Sequence, residues 1–577
     1  MREIIVDLVR QAVAALQRDA VLPTDVSVDF KVERPREKTH GDFSTNVAMI
    51  MAKPAGMKPR DLAARVLAAL PPGQTDVDRW EVAGPGFINF FMSRKRWLQL
   101  PATILEAGAA YGRSSIGNGR RIQVEFVSAN PTGPMHVGHG RGAVTGDVLA
   151  TLLDACGFQV EREYYINDAG VQIQVLGRSV LTRYRQLAGH DVALPDGCYP
   201  GEYIIDIARS CREQHGDRWL EAESPPPEMI DLAIAMVMNW IRDDLASLSI
   251  CFDTWFSERR LHARGLIPQV IAQLERKDLI YQGVLEPPKG KLPEDWEARP
   301  QCLFRSTRFG DEVDRPLQKS DGSYTYFAAD IAYHADKVER GFDQLIDVWG
   351  ADHGGYIKRV RAALEALTGR KNLLDVQLVQ MVNLTRAGKP VRMSKRAGTF
   401  VTLREVVDEV GSDAVRFWFL TRSGNARLDF DLDLAVTQSH DNPVYYVQYA
   451  HARVCALFRQ LTEKGLPSID GDPERLGQPV EMDLLRLLSL LPEVVEGAAL
   501  AHEPHRLAYY LQELAAHFHN YYNATRILDE DPALRGARLQ LVAAVRQVIA
   551  NGLKLLGVSA PEKMERQVIP VSSAQES

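Results

Sequence analysis

Two histidines three residues apart, His136 and His139, close the segment SANPTGPMHVGHG (128–140), with Gly138 between them. An apolar run, RIQVEFV (121–127), precedes it and a long apolar pattern follows, so the segment falls where a strand hands over to a helix. Backbone N–H groups at a helix N-terminus attract anions, and glycine lets a phosphate or a base approach the backbone. Residues at i and i+3 share one helix face. Two imidazoles placed there can donate to phosphate oxygens and offset charge that builds up in a transfer reaction. A second segment, RAGKPVRMSKRAG (386–398), is basic and glycine-flanked and holds Lys389, Arg392, Met393, Ser394, Lys395 and Arg396. A lysine carried on such a loop can neutralise a triphosphate in the transition state. Either segment alone reads as a cap or a solvated turn; together they predict a phosphate-handling site.

A competing pattern overlaps the first segment. Gly138, Gly140 and Ala143 fit GxGxxA, and Glu163 stands where the ribose-binding acid of a dinucleotide site is expected. The glycines lie inside the helical pattern instead of before it, and the histidines would then have no task, so hydride transfer on a nicotinamide is the weaker reading.

The elements that must position these residues follow from periodicity. The first hundred or so residues read as a small α+β unit: an amphipathic helix carrying Ile4, Ile5, Leu8, Val9, Val13 and Leu16, a strand over 26–32, a helix from Val47, and a strand over 80–92 entered through glycines. Then come a strand over 121–127, a helix over 136–156 and a strand over 159–166, the opening of a doubly wound α/β domain. Residues 168–314 read as mostly helical, an insertion. Strands return over 345–349 and 376–384 with a helix over 356–367 between them, and from about Gly411 the chain reads as helical. The expected fold is multidomain α/β: a doubly wound parallel-sheet (Rossmann-like) catalytic domain with a helical insertion, a small N-terminal α+β domain and an all-α C-terminal domain. The expected boundaries are 1–113, 114–440 (insertion about 175–315) and 441–577.

Composition narrows the class. The chain has 577 residues, 45% hydrophobic and 25% charged, enough for several domains. No run approaches the roughly 18 apolar residues of a membrane span, and Arg2, Glu3, Asp7 and Arg10 interrupt any secretory signal. None of the six cysteines forms a CxxC pair, which points to inert thiols in a reducing cytoplasm and away from a zinc site. A net charge of −7 argues against a nonspecific nucleic-acid coat. Residues 358–404 nevertheless hold eleven Lys/Arg against two acids, Glu365 and Asp375, which predicts a local basic site on an acidic body.

HVGH with MSK is similar to the HIGH and KMSKS signatures of class I aminoacyl-tRNA synthetases. VEFVSANPTGPMHVGHGRG, YYINDAGVQI, GADHGGYIKRV, GSDAVRFWFL, NPVYYVQYAHAR, LLGVSAPEKM and the early HGDFSTNVAM resemble the arginyl-tRNA synthetase family from residue 1 to Met564. The resemblance implies that L-arginine and ATP form arginyl-adenylate and pyrophosphate, and that the arginyl group then passes to the 3′-terminal adenosine of arginine tRNA. In this family the first step is expected to need bound tRNA. Mg²⁺ is expected on the ATP phosphates, with no protein-bound metal. The resemblance gives His136, His139 and Lys395 the catalytic roles. It places Gly138, Gly350, Asp352, His353, Lys389, Arg392, Met393 and Ser394 at ATP. Arg392 stands where the signature has its first lysine, and Arg396 where it has its final serine.

A guanidinium offers five donors in a planar fork that matches carboxylates. The family pattern points to Glu125 on the strand before the histidine loop and to Asp330, which shares a helix face with Tyr326 if that stretch is helical. Ser128, Asn130 and His139 resemble residues that hold the amino-acid end. The N-terminal unit resembles a domain that grips the tRNA elbow, and the helical C-terminus resembles an anticodon-binding domain. In the latter Tyr445, Tyr449, Arg453 and Tyr521 are candidate tRNA contacts, within a wider set of Tyr446, His451, Tyr509, Tyr510, His519 and Tyr522. Aromatics at helical spacing equally suit a helix core. A monomer without an obligate protein partner or membrane contact, in the cytoplasm, completes the expectation. The nearest alternative is a class I synthetase of another amino-acid specificity. A non-catalytic RNA-binding paralogue would have no chemical need for His136, His139 and Lys395.

Overall fold

Five parallel strands form the sheet that carries the site: β1 (Arg121–Glu125), β2 (Gln159–Ile166), β3 (Thr254–Ser257), β4 (Gln344–Gly350) and β5 (Leu374–Val379), in the spatial order β5-β4-β1-β2-β3. The computed structural model describes residues 1–24, 29–286, 298–391, 401–466 and 471–564. Their packing divides the chain into two units. One holds Met1–Tyr111, Ala450–Leu491 and Leu514–Ile549; the other holds Gly112–Tyr449, Pro492–Glu513 and the chain from Ala550.

The first unit contains a four-stranded antiparallel sheet in the order Val32–Glu33, Phe43–Thr45, Phe87–Met92, Val77–Ala83. Helix Arg2–Arg18 buries Ile5, Leu8, Val9, Ala12, Val13 and Leu16, the stripe its periodicity predicts. The strand expected over 26–32 falls partly on residues outside the described ones, and the described strand is Val32–Glu33. The single strand expected over 80–92 is two, Val77–Ala83 and Phe87–Met92, joined as a hairpin. The helical part of this unit buries Leu484, Leu485, Leu488, Phe518 and Leu541.

In the second unit β1 leads through a loop into α1 (Val137–Ala155) and back into β2. Helix α2 (Tyr326–Glu339) precedes β4, and a 3-10 turn (Ala351–Tyr356) leads from β4 into α3 (Ile357–Thr368) and β5. The stretch read as an insertion is helical over Val171–Leu187, Tyr203–His215 and Pro227–Ser247. Within it, however, Thr254–Ser257 is the edge strand of the main sheet, and a three-stranded antiparallel sheet follows in the order Arg315–Gln318, Gln301–Phe304, Ile280–Gly283. A four-residue strand whose partner lies about ninety residues earlier in the chain shows little periodicity of its own.

Helix α1 approaches β1 closely. A Cβ on Gly146 would lie 2.3 Å from Cγ of Phe126, a ring with no solvent exposure. Gly142, one turn earlier, faces nothing within 4 Å. Gly146→Ala is therefore expected to lower stability by about 1–3 kcal/mol through overpacking. Gly142→Ala is expected to leave it unchanged or raise it by up to about 1 kcal/mol through helix propensity. Urea unfolding of the two variants checks the contrast, and equal midpoints would contradict it.

Candidate active site

Chain order reverses between β1 and β4: from β1 the chain moves to β2 on one side, and β4 stands on the other. Ligands of open α/β sheets bind at the carboxyl ends of strands at such a switch point. The end of β1 leads here into the histidine loop, and the end of β4 into the Gly350–Asp352–His353 turn.

The histidine loop starts with strain. Val127 and Ser128 have φ of +70° and +41°, and Ser128 N–H donates to the Phe126 carbonyl at 3.0 Å. A β-branched residue centred in so tight a turn is unfavourable and persists only where its surroundings enforce it. Those surroundings are hydrogen bonds. Ser128 Oγ donates to Glu125 Oε1 (2.8 Å) and accepts from Tyr165 N–H (3.1 Å). The hydroxyls of Tyr164 and Tyr203 donate to the carbonyls of Ala129 (2.8 Å) and Thr132 (2.9 Å). Asn130 Nδ2 donates to Gln172 Oε1 (2.8 Å).

At the helix start the histidines cap one another. His136 Nδ1 accepts from the N–H groups of Gly138 (3.1 Å) and His139 (3.4 Å), while His139 Nδ1 accepts from His136 N–H (3.3 Å). Their rings stack with centroids 3.6 Å apart. A nitrogen that accepts from an N–H carries a lone pair, so each neutral ring holds its proton on Nε2 and presents a donor there. A Cβ on Gly138 would lie 3.0 Å from Cε1 of His136, so the intervening glycine lets that ring fold back over the helix start.

The expected arginine-site acids gather around α2. Glu125 is register partner of Asp347 on β4 and of Glu163 on β2, so three carboxylates form a row across adjacent strands. Lys337, fully buried, sits 2.6 Å from Glu125 Oε2 and 2.9 Å from Asp347 Oδ1. Glu163 pairs with Arg340 and accepts from the Tyr333 hydroxyl. Burial works against the charges of Asp347 and Lys337, yet their mutual attraction holds the Asp347 carboxyl below, and the Lys337 ammonium above, its ordinary range. Asp330, on the same helix, has no such cation among the described residues. Burial pushes its carboxyl up to about 7 against the opposing pull of His334, with Glu258, Glu125 and Asp347 adding to the rise. Tyr326, half-exposed at the first turn of α2, lies beside Gly170. Ser128 thus bonds Glu125, and Asp330 lies within electrostatic reach of Glu125, while His136 and His139 stand at the other end of the same loop. Glu163 is wholly buried in ion pairs, so it is not the exposed ribose acid of a dinucleotide site.

Residues 386–389 form a hairpin, with Arg386 paired to Lys389 in register and positive φ at Ala387 and Gly388. Lys389 is exposed there. Arg392, Met393, Ser394 and Lys395 lie outside the described residues. Just after them, Leu403 N–H donates to the Met135 carbonyl (2.8 Å) and Thr402 bridges to His136. Sequence reasoning missed Arg141, one turn into α1. It is fully buried and donates to the carbonyls of Gln380, Ser423 and Ala426.

Among the proposed tRNA contacts, Tyr445 and Tyr449 stack with centroids 5.8 Å apart, and Arg453 lies over the Tyr522 ring at 3.9 Å. Tyr521 does not fit that role: it is fully buried, and its hydroxyl bonds Glu481, which also pairs with Arg538. Phe518 and Leu514, three and seven residues earlier on the same helix, are likewise fully buried. Among the described residues no cluster of three metal-ligating side chains occurs, and no helix is long and apolar enough to cross a membrane.

A parallel sheet with a histidine-capped helix at its switch point is the catalytic fold of class I aminoacyl-tRNA synthetases. Residues 100–190 match the model of the class I (R) tRNA synthetase catalytic domain, residues 3–92 that of the arginyl-tRNA synthetase N-terminal domain, and residues 447–564 that of the DALR anticodon-binding domain. An arginine–tRNA ligase of Magnetococcus marinus is 58% identical, covering 98% of this chain and all of its own length. One of Jannaschia sp. is 50% identical over 97% and 99%. The arginyl-tRNA synthetase structure of Thermus thermophilus, 23% identical, shares the fold with a TM-score of 0.71 over 98% of this chain and all of that one. The chain belongs to the arginyl-tRNA synthetase family.

The reciprocal cap has a measurable signature. Asparagine keeps an acceptor at the position of Nδ1 but has no group at Nε2. His136→Asn is expected to retain stability within about 0.5 kcal/mol, whereas His136→Ala loses about 1 kcal/mol of capping energy. Urea midpoints that fall equally in both variants would contradict the capping role.

Proposed function

We propose that this protein attaches L-arginine to its cognate tRNA in two steps. The arginine carboxylate attacks the α-phosphorus of ATP, forming arginyl-adenylate as the bond to pyrophosphate breaks. A ribose hydroxyl of the 3′-terminal adenosine then attacks the arginyl carbonyl and releases AMP. One observation supports the specificity: Asp330, raised by burial and without a lysine or arginine partner among the described residues, lies near Glu125, the acid at the end of β1. A planar cation is the ligand such a set of acids fits. The names of the relatives support the same substrate.

In this reading His136 and His139 donate from Nε2 to the ATP phosphates, and Gly138, Gly350, Asp352 and His353 line the nucleotide. Lys395 supplies the mobile cation, with Lys389, Arg392, Met393 and Ser394 around it. Glu125, Tyr326 and Asp330 receive the guanidinium side of arginine, and Ser128, Asn130 and His139 the amino-acid end. Mg²⁺ rides on the substrate phosphates and supplies charge neutralisation there. Tyr445, Tyr449 and Arg453 contribute to tRNA binding in an anticodon-binding domain (441–577), beside a catalytic domain (114–440) and an N-terminal tRNA-binding domain (1–113). The protein acts as a cytoplasmic monomer.

The decisive assay is ATP–pyrophosphate exchange with each amino acid, with and without tRNA. Exchange with arginine alone is the expected result, and exchange with another amino acid would redirect the specificity. Asp330→Asn removes the charged partner of a buried pair, a loss of about 2–5 kcal/mol. The KM for arginine should therefore rise at least about thirtyfold, with that for ATP within about threefold. Equal effects on both would remove Asp330 from the guanidinium site.

A pH dependence follows from the raised Asp330 carboxyl. The ionised form binds the cation, so a proton competes with arginine below about 7. Arginine affinity should rise with pH up to that value and level off above it, falling by at most about tenfold per unit on the acid side. Titration of arginine KM against pH checks the sign, and a dependence that survives in Asp330→Asn would assign it to another group.

A further inference from the structure

Lys337 takes no part in the reading above, yet it is the fully buried cation between two acids of the site. Glu125 and Asp347 are opposite each other on adjacent strands, about 5 Å apart along the hydrogen-bonding direction. Two carboxylates that close in a buried place do not both stay ionised unaided; one of them takes up a proton. A protonated Glu125 would have no charge to offer a guanidinium.

We propose that Lys337 is a positioning residue for arginine recognition: it keeps Glu125 ionised and ties Oε2 to α2, which leaves Oε1 on the side of Ser128. The proposal rests on the reading of Glu125 and Asp330 as arginine-recognition acids. Lys337 itself has no exposure and cannot touch the substrate. It lies two turns beyond Asp330 on α2, so the helix that presents Asp330 also sets the charge of Glu125.

Stability alone does not account for this lysine. A buried ion triad gains little over apolar side chains of the same volume, because desolvation of the charges consumes the attraction. An apolar residue would pack α2 on the sheet as well, but would leave Glu125 and Asp347 to share a proton.

The charged and titratable neighbours come from every packed element. From α2 itself come Asp330, Tyr333, His334 and Arg340, with His334 Nε2 2.9 Å from Asp347 Oδ2. From the strands come Glu125 on β1, Glu163 and Tyr165 on β2, and Asp347 on β4; Glu258 follows β3. Arg340 and Tyr333 are committed to Glu163, so Lys337 is the cation that the Glu125–Asp347 pair receives.

Two substitutions separate charge from packing. Lys337→Gln can still donate to both carboxylates but has lost the charge; Lys337→Arg keeps it. Each is assayed as the full chain with tRNA, for arginine and ATP KM between about pH 6 and pH 9, with urea unfolding alongside. For Lys337→Gln the arginine KM should rise at least about tenfold with the ATP KM within about threefold. The pH at which arginine KM levels off should also move up by about one unit or more. For Lys337→Arg both quantities should stay near those of the unaltered chain.

A folded Lys337→Gln with an unmoved pH profile overturns the proposal, as does a loss confined to kcat or shared equally by both substrates. If Lys337→Gln does not fold, Lys337→Arg decides: a folded variant with a displaced profile overturns the proposal, and an undisplaced one supports it. Glu125→Gln provides the separate control. An unchanged arginine KM in that variant refutes the recognition role of Glu125 itself, whatever Lys337 does.

Discussion

Three carboxylates in register across adjacent strands, Glu163, Glu125 and Asp347, are the constraint from which the site is built. At about 5 Å and an effective dielectric of about 20, each neighbouring pair of ionised acids repels by about 3 kcal/mol. A sheet edge would solve this by solvation; here the row is buried. Helix α2 answers it with Tyr333, Lys337 and Arg340, spaced four and three residues apart so that all face the row. That match fixes the rotation and height of α2 over β1, β2 and β4. Once it is fixed, the first turn of the same helix can only lie at the carboxyl ends of the strands, where Tyr326 and Asp330 are found. Electrostatic compensation in the core and placement of Tyr326 and Asp330 are one interaction.

The second demand is to hold the histidine loop and the Lys389 hairpin in register. The histidine loop is forced into positive φ at Val127 and Ser128, and tyrosine hydroxyls from β2 and from helix Tyr203–His215 pin its carbonyls. Arg141 then ties α1 to the chain at Gln380, just ahead of the strand that feeds the Lys389 hairpin. Its guanidinium is buried without a carboxylate, and burial lowers it to about 10, so it stays charged at neutral pH. Three carbonyl acceptors on two separate segments make it a clamp whose strength depends on geometry more than on net charge.

Much of the fold was legible because it rests on local patterns. Strand β1 and helix α1 announce themselves by an apolar run and a long apolar stretch between turn residues. Glu125 and Asp330 were legible through the family pattern. Their compensation was not, because the Glu125–Asp347 pairing joins residues more than two hundred positions apart, and a lysine in a helix reads as solvated. Strand β3 was missed for the same reason: four residues gain their identity only from β2. Tyr521 shows the opposite failure, since an aromatic on an amphipathic helix has the same spacing whether it faces RNA or a core. The basic stretch 358–404 also changes meaning in space. Lys358 pairs with Glu312, Arg361 with Asp375, Arg386 with Glu409 and Arg404 with Asp244, so part of the surplus counted along the chain is cancelled by acids, three of them from outside the stretch or across it.

An enzyme that binds a cationic amino acid beside a triphosphate faces opposed electrostatic demands within one crevice. A row of lysines at the helix start would serve the phosphates and repel the guanidinium; exposed carboxylates would do the reverse. The arrangement seen here lowers both penalties. The two histidines accept backbone N–H groups through Nδ1, so a neutral ring at either position offers a hydrogen bond from Nε2 without a standing charge. The carboxyls of the core row are paired with Lys337 and Arg340. Asp330 has no lysine or arginine partner among the described residues, and burial raises its carboxyl to about 7. In the proposed reading, a guanidinium beside Asp330 draws it further toward its ionised form, so that part of the negative charge appears together with the cation that meets it.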